Sequence, residues 1–220
     1  MARIFLYSFL VGLWIAPSHV SGVQVEEAQE EGQKIIYSEV LVDQMRTRLL
    51  EFLNRLRTLQ ARFSETTQKR SATGTLKLVR PRPEENAYGK MAFVYDPPVH
   101  QEVISKDGVI YVWNKAAKTV DQTPLESTPL FMLLRSRIHL ESGGREKNLE
   151  KRGNFIYWTL VPEEDNESGA ELTLIFEDSP MTLYGWTLLD PQGNTTEIRL
   201  ENVVLDAAVP EASFTVPKEG

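Results

Sequence analysis

The chain has 220 residues, 24 Lys and Arg against 31 Asp and Glu, a formal net charge of −7 and 41% hydrophobic residues, which fits one ordinary globular domain with short tails rather than two full ones. It has no cysteine, and that excludes a disulfide framework, a thiol nucleophile, a thiolate zinc site and lipid attachment through cysteine. The acidic balance leaves no basic excess with which to displace counterions from a phosphate lattice, so nucleic acid is not an expected partner.

Arg3 followed by the apolar run 4–15, the break at Pro17 and the small residues around Ser21-Gly22 read as a secretory signal over residues 1–22, too short to anchor in a bilayer. Residues 23–42 carry Glu26, Glu27, Glu30 and Glu31 with little to bury, and are expected to be an acidic mobile arm. The domain is expected over residues 43–220. From Asp43 onward Met45, Leu49, Phe52, Leu53, Leu56 and Leu59 recur at spacings of three and four with charged residues between them, the pattern of a long amphipathic helix.

Beyond it the period changes. The segments 61–68, 74–79, 91–95, 101–105, 109–113, 155–161, 172–176, 183–189, 195–201 and 213–216 are short and rich in Val, Ile, Thr and aromatics, and are expected to be antiparallel strands. Asp107-Gly108 reads as a hairpin turn, and residues 190–193 as another tight turn. The segments 109–113 and 155–158 are apolar on both faces, whereas 195–201 alternates. One long helix cannot cover both sides of so many strands, so a strongly curved sheet with the helix on its concave side fits best. A second helix is expected at 128–135, with Thr128 as its cap and Pro129 in its first turn. Its five consecutive apolar residues either lie deep in the core or face something the chain does not supply.

Catalytic and metal signals are sparse. His19, His100 and His139 have no ligand spacing, no nucleotide or hydrolase motif is present, and Asp96 with Glu102 is the one carboxylate pair that invites a hydrolase reading. No enzyme activity, cofactor or metal is expected.

Several pieces, in order, resemble the LolA family of periplasmic lipoprotein carriers: the helix running into Leu59-Gln60-Ala61-Arg62-Phe63, then Gly74-Thr75-Leu76 with Arg80-Pro81, then Met91-Ala92-Phe93 with Tyr95 and Pro97. Asp107-Gly108, Thr128-Pro129-Leu130, residues 190–196, and Phe214 with Pro217 and Gly220 continue the series. The resemblance implies a fold that is mainly β with α, an incomplete antiparallel β-barrel (half-barrel) closed by the long N-terminal helix and a short lid helix. It implies a monomeric periplasmic carrier that takes acylated lipoproteins from an inner-membrane ATP-driven releasing complex and passes them towards the outer membrane, to an acceptor if one is present. A lipid or glycolipid carrier, or a periplasmic lipoprotein sensor, is the alternative on the same fold. Arg80 matches the family position whose guanidinium holds the lid shut, and Arg82-Pro83 is a rival match because the segment between Pro81 and Met91 is longer than usual. The expected acyl-chain cavity is lined by Leu53, Leu56, Met91, Phe93, Ile104, Phe131 and Leu134.

Overall fold

The computed structural model describes residues 39–216 apart from 83, 86, 139, 141–143 and 163–168. The expected signal and nearly all of the expected arm lie outside the described residues, as do Pro217 and Gly220. Helix α1 spans Glu39–Arg55. It starts four residues earlier than Asp43, so residues 39–42 form its first turn rather than the end of an arm. Glu39 near its start and Arg55 in its last turn complement the helix dipole.

Eleven strands form one sheet: β1 (Thr58–Thr67), β2 (Ser71–Val79), β3 (Lys90–Tyr95), β4 (Gln101–Lys106), β5 (Val109–Asn114), β6 (Thr119–Pro124), β7 (Arg145–Arg152), β8 (Phe155–Val161), β9 (Glu171–Asp178), β10 (Met181–Leu189) and β11 (Thr195–Leu205). Their order is β6-β5-β4-β3-β2-β1-β11-β10-β9-β8-β7, with antiparallel neighbours throughout. Two meanders therefore meet where the first strand pairs with the last, and β6 and β7 are left as open edges.

Nine of the expected strands are present. The segment 213–216 is not one: Glu211–Phe214 is a short 3-10 helix after Pro210, and Phe214 packs on Ala92 and Ile104 against the outer face of the sheet. Two strands absent from the sequence reading, β6 and β7, are the two edges. β7 reads Arg-Glu-Lys-Asn-Leu-Glu-Lys-Arg and β6 is mostly exposed, so neither carries an apolar signal. Charged or polar edges of this kind resist further strand pairing.

The sheet curls but does not close, making the expected half-barrel. Phe93 on β3 and Trp186 on β10 stand four strand spacings apart, about 19 Å in a flat sheet, yet their ring centroids are 6.2 Å apart. Register shifts at Gln60/Arg62, Glu146/Asn148 and Leu183/Gly185 supply local bends. Gly74 permits a tight fit inside the curve, since a Cβ there would come within 2.6 Å of the Phe63 ring and 2.2 Å of the Val94 carbonyl.

The concave face is the core. Met45, Leu49 and Leu53 of α1 pack there against Phe63, Leu76, Leu78, Trp158, Phe176 and Trp186. Polar ties fix the helix at its flanks. Glu146 accepts from Arg46 at 2.8 and 2.9 Å and from Trp158 Nε1 at 2.8 Å. Arg48 reaches Asp178 at 2.7 Å, and Asp178 also accepts from Lys151. These two cations, Lys151 foremost, hold the Asp178 carboxyl below its ordinary range.

Candidate functional site

The link between the two meanders, residues 125–144, must travel from the β6 edge to the β7 edge. In a flat sheet those edges would be about 48 Å apart. Curvature brings them closer, and the connection crosses the open side of the half-barrel. Leu125, Met132, Leu133, Leu134 and Ile138 from this crossing are buried in the same cluster as the concave face. A covering segment is thus a consequence of topology, and it stands where the expected lid would be. Its helix, α2, is only Phe131–Leu134, shorter than the expected 128–135. Thr128 does not cap it, because its hydroxyl donates backwards to the Leu125 carbonyl at 2.9 Å.

Arg80 is 2% exposed. It donates from Nη1 to the Leu53 carbonyl and from Nη2 to the Arg135 carbonyl at 2.6 Å, joining the last turn of α1 to the residue after α2. The helix end needs such partners, since its final carbonyls have no intrahelical donor. The Leu56 N–H serves Phe52 at 3.0 Å, Arg80 serves Leu53, and Arg57 Nη2 serves Asn54 at 2.7 Å. A planar fork reaching two carbonyls is what arginine offers and lysine does not. No described carboxylate pairs with Arg80. Burial, with the Arg57 charge a smaller cause, pulls its guanidinium down to about 10. Arg82, the rival match, is exposed.

Other fastenings of the lid were not visible in the sequence. The Asn54 side chain exchanges two hydrogen bonds with the Ile138 backbone, donating at 3.3 Å and accepting at 3.0 Å. The Gly89 N–H donates to the Leu134 carbonyl at 2.6 Å, Tyr88 forms a bridge with Arg135, and the Tyr88 hydroxyl donates to Glu126. A Cβ at position 89 would lie 2.6 Å from the Val79 carbonyl and 3.2 Å from that of Leu134. The end of the longer loop before β3, at Tyr88 and Gly89, is thus bonded to the residues around α2.

Of the expected lining residues, Leu53, Leu56, Met91, Phe93 and Leu134 are buried in the concave cluster, and Phe131 packs half-buried against it. Ile104 is not among them. It pairs with Ala92 on β3, and both point to the outer face beneath Phe214. Strand alternation puts Val103, opposite Phe93, on the inner face instead. The centre of the interior is an aromatic file: Tyr95 to Phe63 at 5.1 Å, Phe63 to Phe93 at 4.9 Å, and Phe93 to Trp186, all edge-to-face. The sequence places Trp186 only within a strand, and nothing in its local pattern marks it as central.

A cavity of about 370 Å³ opens beside this interior, between α1 and the ends of β10 and β11. Phe52, Leu56, Met181 and Leu205 supply its apolar wall, with Arg48 and Arg55 at its rim. Phe52 touches Phe176 edge-on at 5.8 Å, so the cavity wall is continuous with the core.

The hydrolase pair does not come together chemically. Asp96 accepts from Arg62 and from the Thr73 hydroxyl, which hold it below its ordinary range, while Glu102 pairs with Lys115 at 2.6 Å. Among the described residues no group of three or more His, Asp or Glu is placed to hold a metal ion. No described helix is long and apolar enough to cross a membrane.

Known proteins are similar to this chain. An outer-membrane lipoprotein carrier protein of Idiomarina loihiensis is 26% identical over 183 residues, covering 76% of this chain and 80% of that protein. Among solved structures, a domain from Vibrio parahaemolyticus named for outer membrane lipoprotein sorting is 12% identical with a TM-score of 0.49, over 80% of this chain and 95% of its own. MucB of Pseudomonas aeruginosa, in complex with MucA, is 13% identical with a TM-score of 0.42, over 78% of this chain and 59% of its own. The family described as outer membrane lipoprotein carrier protein LolA matches residues 54–217, from the last turn of α1 to beyond Phe214. The chain belongs to the LolA family, a family of lipoprotein carriers.

Proposed function

We propose that this protein carries lipoproteins through the periplasm by holding their acyl chains in the concave interior beneath the lid. It receives them from an inner-membrane ATP-driven releasing complex and passes them on towards the outer membrane. The observation that carries this reading is the Arg80 fork, which ties α1 to the lid over an apolar surface while having no carboxylate partner of its own among the described residues.

Magnitudes favour reversible loading. Hiding ten methylenes of one acyl chain is worth about 8 kcal/mol. The four lid side chains Phe131, Met132, Leu133 and Leu134 contribute about 1.5–3 kcal/mol each when buried, so the closed lid competes with cargo on similar terms. The lock is correspondingly moderate. Its hydrogen bonds to two carbonyls are offset by the cost of keeping a guanidinium out of water without a counter-charge. A ligand that prefers the open arrangement can then shift the balance, and closure helps to expel it.

The test is co-purification from periplasm of a lipoprotein in two forms, one acylated at its N-terminal cysteine and one with that cysteine changed to serine and so unacylated. The expected result is a one-to-one complex with the acylated form only. Equal recovery of both forms contradicts acyl-chain holding, and free lipid in place of lipoprotein supports the lipid-carrier alternative.

A further inference from the structure

Trp158 and Trp186 are both fully buried on the concave face, yet the fold treats their indoles differently. Trp158 Nε1 donates to Glu146 at 2.8 Å. Trp186 Nε1 has no hydrogen-bond partner among the described residues, although the side chain is 0% exposed and faces Phe93 across the interior. The hydroxyl of Ser105, 1% exposed, is also without a partner among the described residues. Ser105 stands opposite Met91 on one side and Ile110 on the other, so it shares their inner face.

Buried donors are nearly always paired, and an unpaired one forfeits the hydrogen bonds it made to water. A phenylalanine at 186 and an alanine at 105 would avoid that loss. The two unpaired groups sit in the two meanders of the curved sheet, on β10 and β4, both on its inner face. A hydrocarbon cannot use either donor. An acyl chain can, because its head is an ester or amide carbonyl, which accepts through two lone pairs.

We propose that Trp186 Nε1, with Ser105 Oγ in the other meander, donates to the ester or amide carbonyls that head the acyl chains, so that the interior selects acyl over plain alkyl chains. This deepens the carrier reading above and rests on it. Trp186 packs edge-to-face on Phe93, a ring without polar atoms, so a carbonyl that enters beside the indole finds a donor there that no described group uses. Sites built around a buried donor discriminate strongly against ligands that lack its partner, whereas an apolar slot tolerates both.

The test compares two water-soluble phospholipids of equal chain length, glycerophosphocholine with two ester-linked hexanoyl chains and with two ether-linked hexyl chains, titrated calorimetrically into the full chain. The ester lipid is expected to bind about tenfold more tightly. In Trp186→Phe that ester-over-ether preference falls to about threefold or less, and Ser105→Ala lowers it in part. Equal binding of ester and ether to the unaltered protein, or a preference that survives in both variants, overturns the proposal. Binding of neither lipid overturns the carrier reading along with it. Ser105→Ala removes one oxygen only, and it carries the variant comparison if Trp186→Phe lowers the yield of folded protein.

Discussion

Arg80→Leu is expected to load with lipoprotein normally and to transfer it to an acceptor membrane ten- to a hundredfold more slowly, in a two-membrane transfer assay. The substitution removes donors from the Leu53 and Arg135 carbonyls, and a buried acceptor left unpaired costs about 1–3 kcal/mol. Relief of the buried charge returns part of this. A net loss of about 1.4–2.8 kcal/mol from the closed arrangement corresponds to the stated factor. The open arrangement makes neither bond, so uptake is spared and only expulsion suffers. Arg80→Lys should recover part of the rate, because an ammonium keeps the charge but lacks the planar fork. Arg82→Leu serves as the control, since that side chain is exposed. Unimpaired transfer by Arg80→Leu would remove the lock from the account.

Leu134→Glu is expected to abolish lipoprotein co-purification in a protein that still folds, whereas Phe93→Glu should unfold it or lower its yield sharply. Both positions are buried, at 0% and 6% exposure, and an unpaired carboxylate in either place costs several kcal/mol. The difference lies in the escape route. Leu134 sits on a four-residue helix within a connection, so lifting the lid returns the charge to water at the cost of the lid contacts alone. Phe93 is fixed between β2 and β4 and flanked by Phe63 and Trp186, so its charge reaches water only if the sheet comes apart. Faster hydrogen exchange over residues 125–138 in Leu134→Glu, with the sheet amides still protected, would show the lid lifted. Intact lipoprotein binding by that variant would show that the lid does not border the acyl-chain site.

The curved sheet was legible because its inner strands announce themselves through β-branched and aromatic residues and through turn chemistry at Asp107-Gly108 and residues 190–193. Both edge strands escaped because their sequences are polar for a separate reason, the need to stay unpaired. Ile104 was misplaced by one residue of register, and in a strand one residue reverses the face; Val103 looks equally apolar in the sequence, so composition could not choose between them. The burial of Arg80 was not legible locally, since an arginine after a strand reads as a surface residue until the fold carries it between α1 and the segment after α2. Asn54, Gly89 and Trp186 were illegible for a different reason. Each acts through a partner more than 40 residues away in the chain, namely Ile138, Leu134 and Phe93, and no local pattern encodes such a meeting.

The central claim is that lid and cargo compete for one apolar surface. With no native cysteine in the chain, two introduced ones at the exposed positions Arg137, in the lid connection, and Gln68, in the β1–β2 turn, label the protein uniquely for a spin-label distance measurement. Adding acylated lipoprotein is expected to replace the single distance of the free protein by a shifted, broader one, and adding its unacylated form to leave the distance unchanged. An unchanged distance in a sample shown to hold the acylated lipoprotein would contradict the account, because cargo would then be bound without displacing the lid.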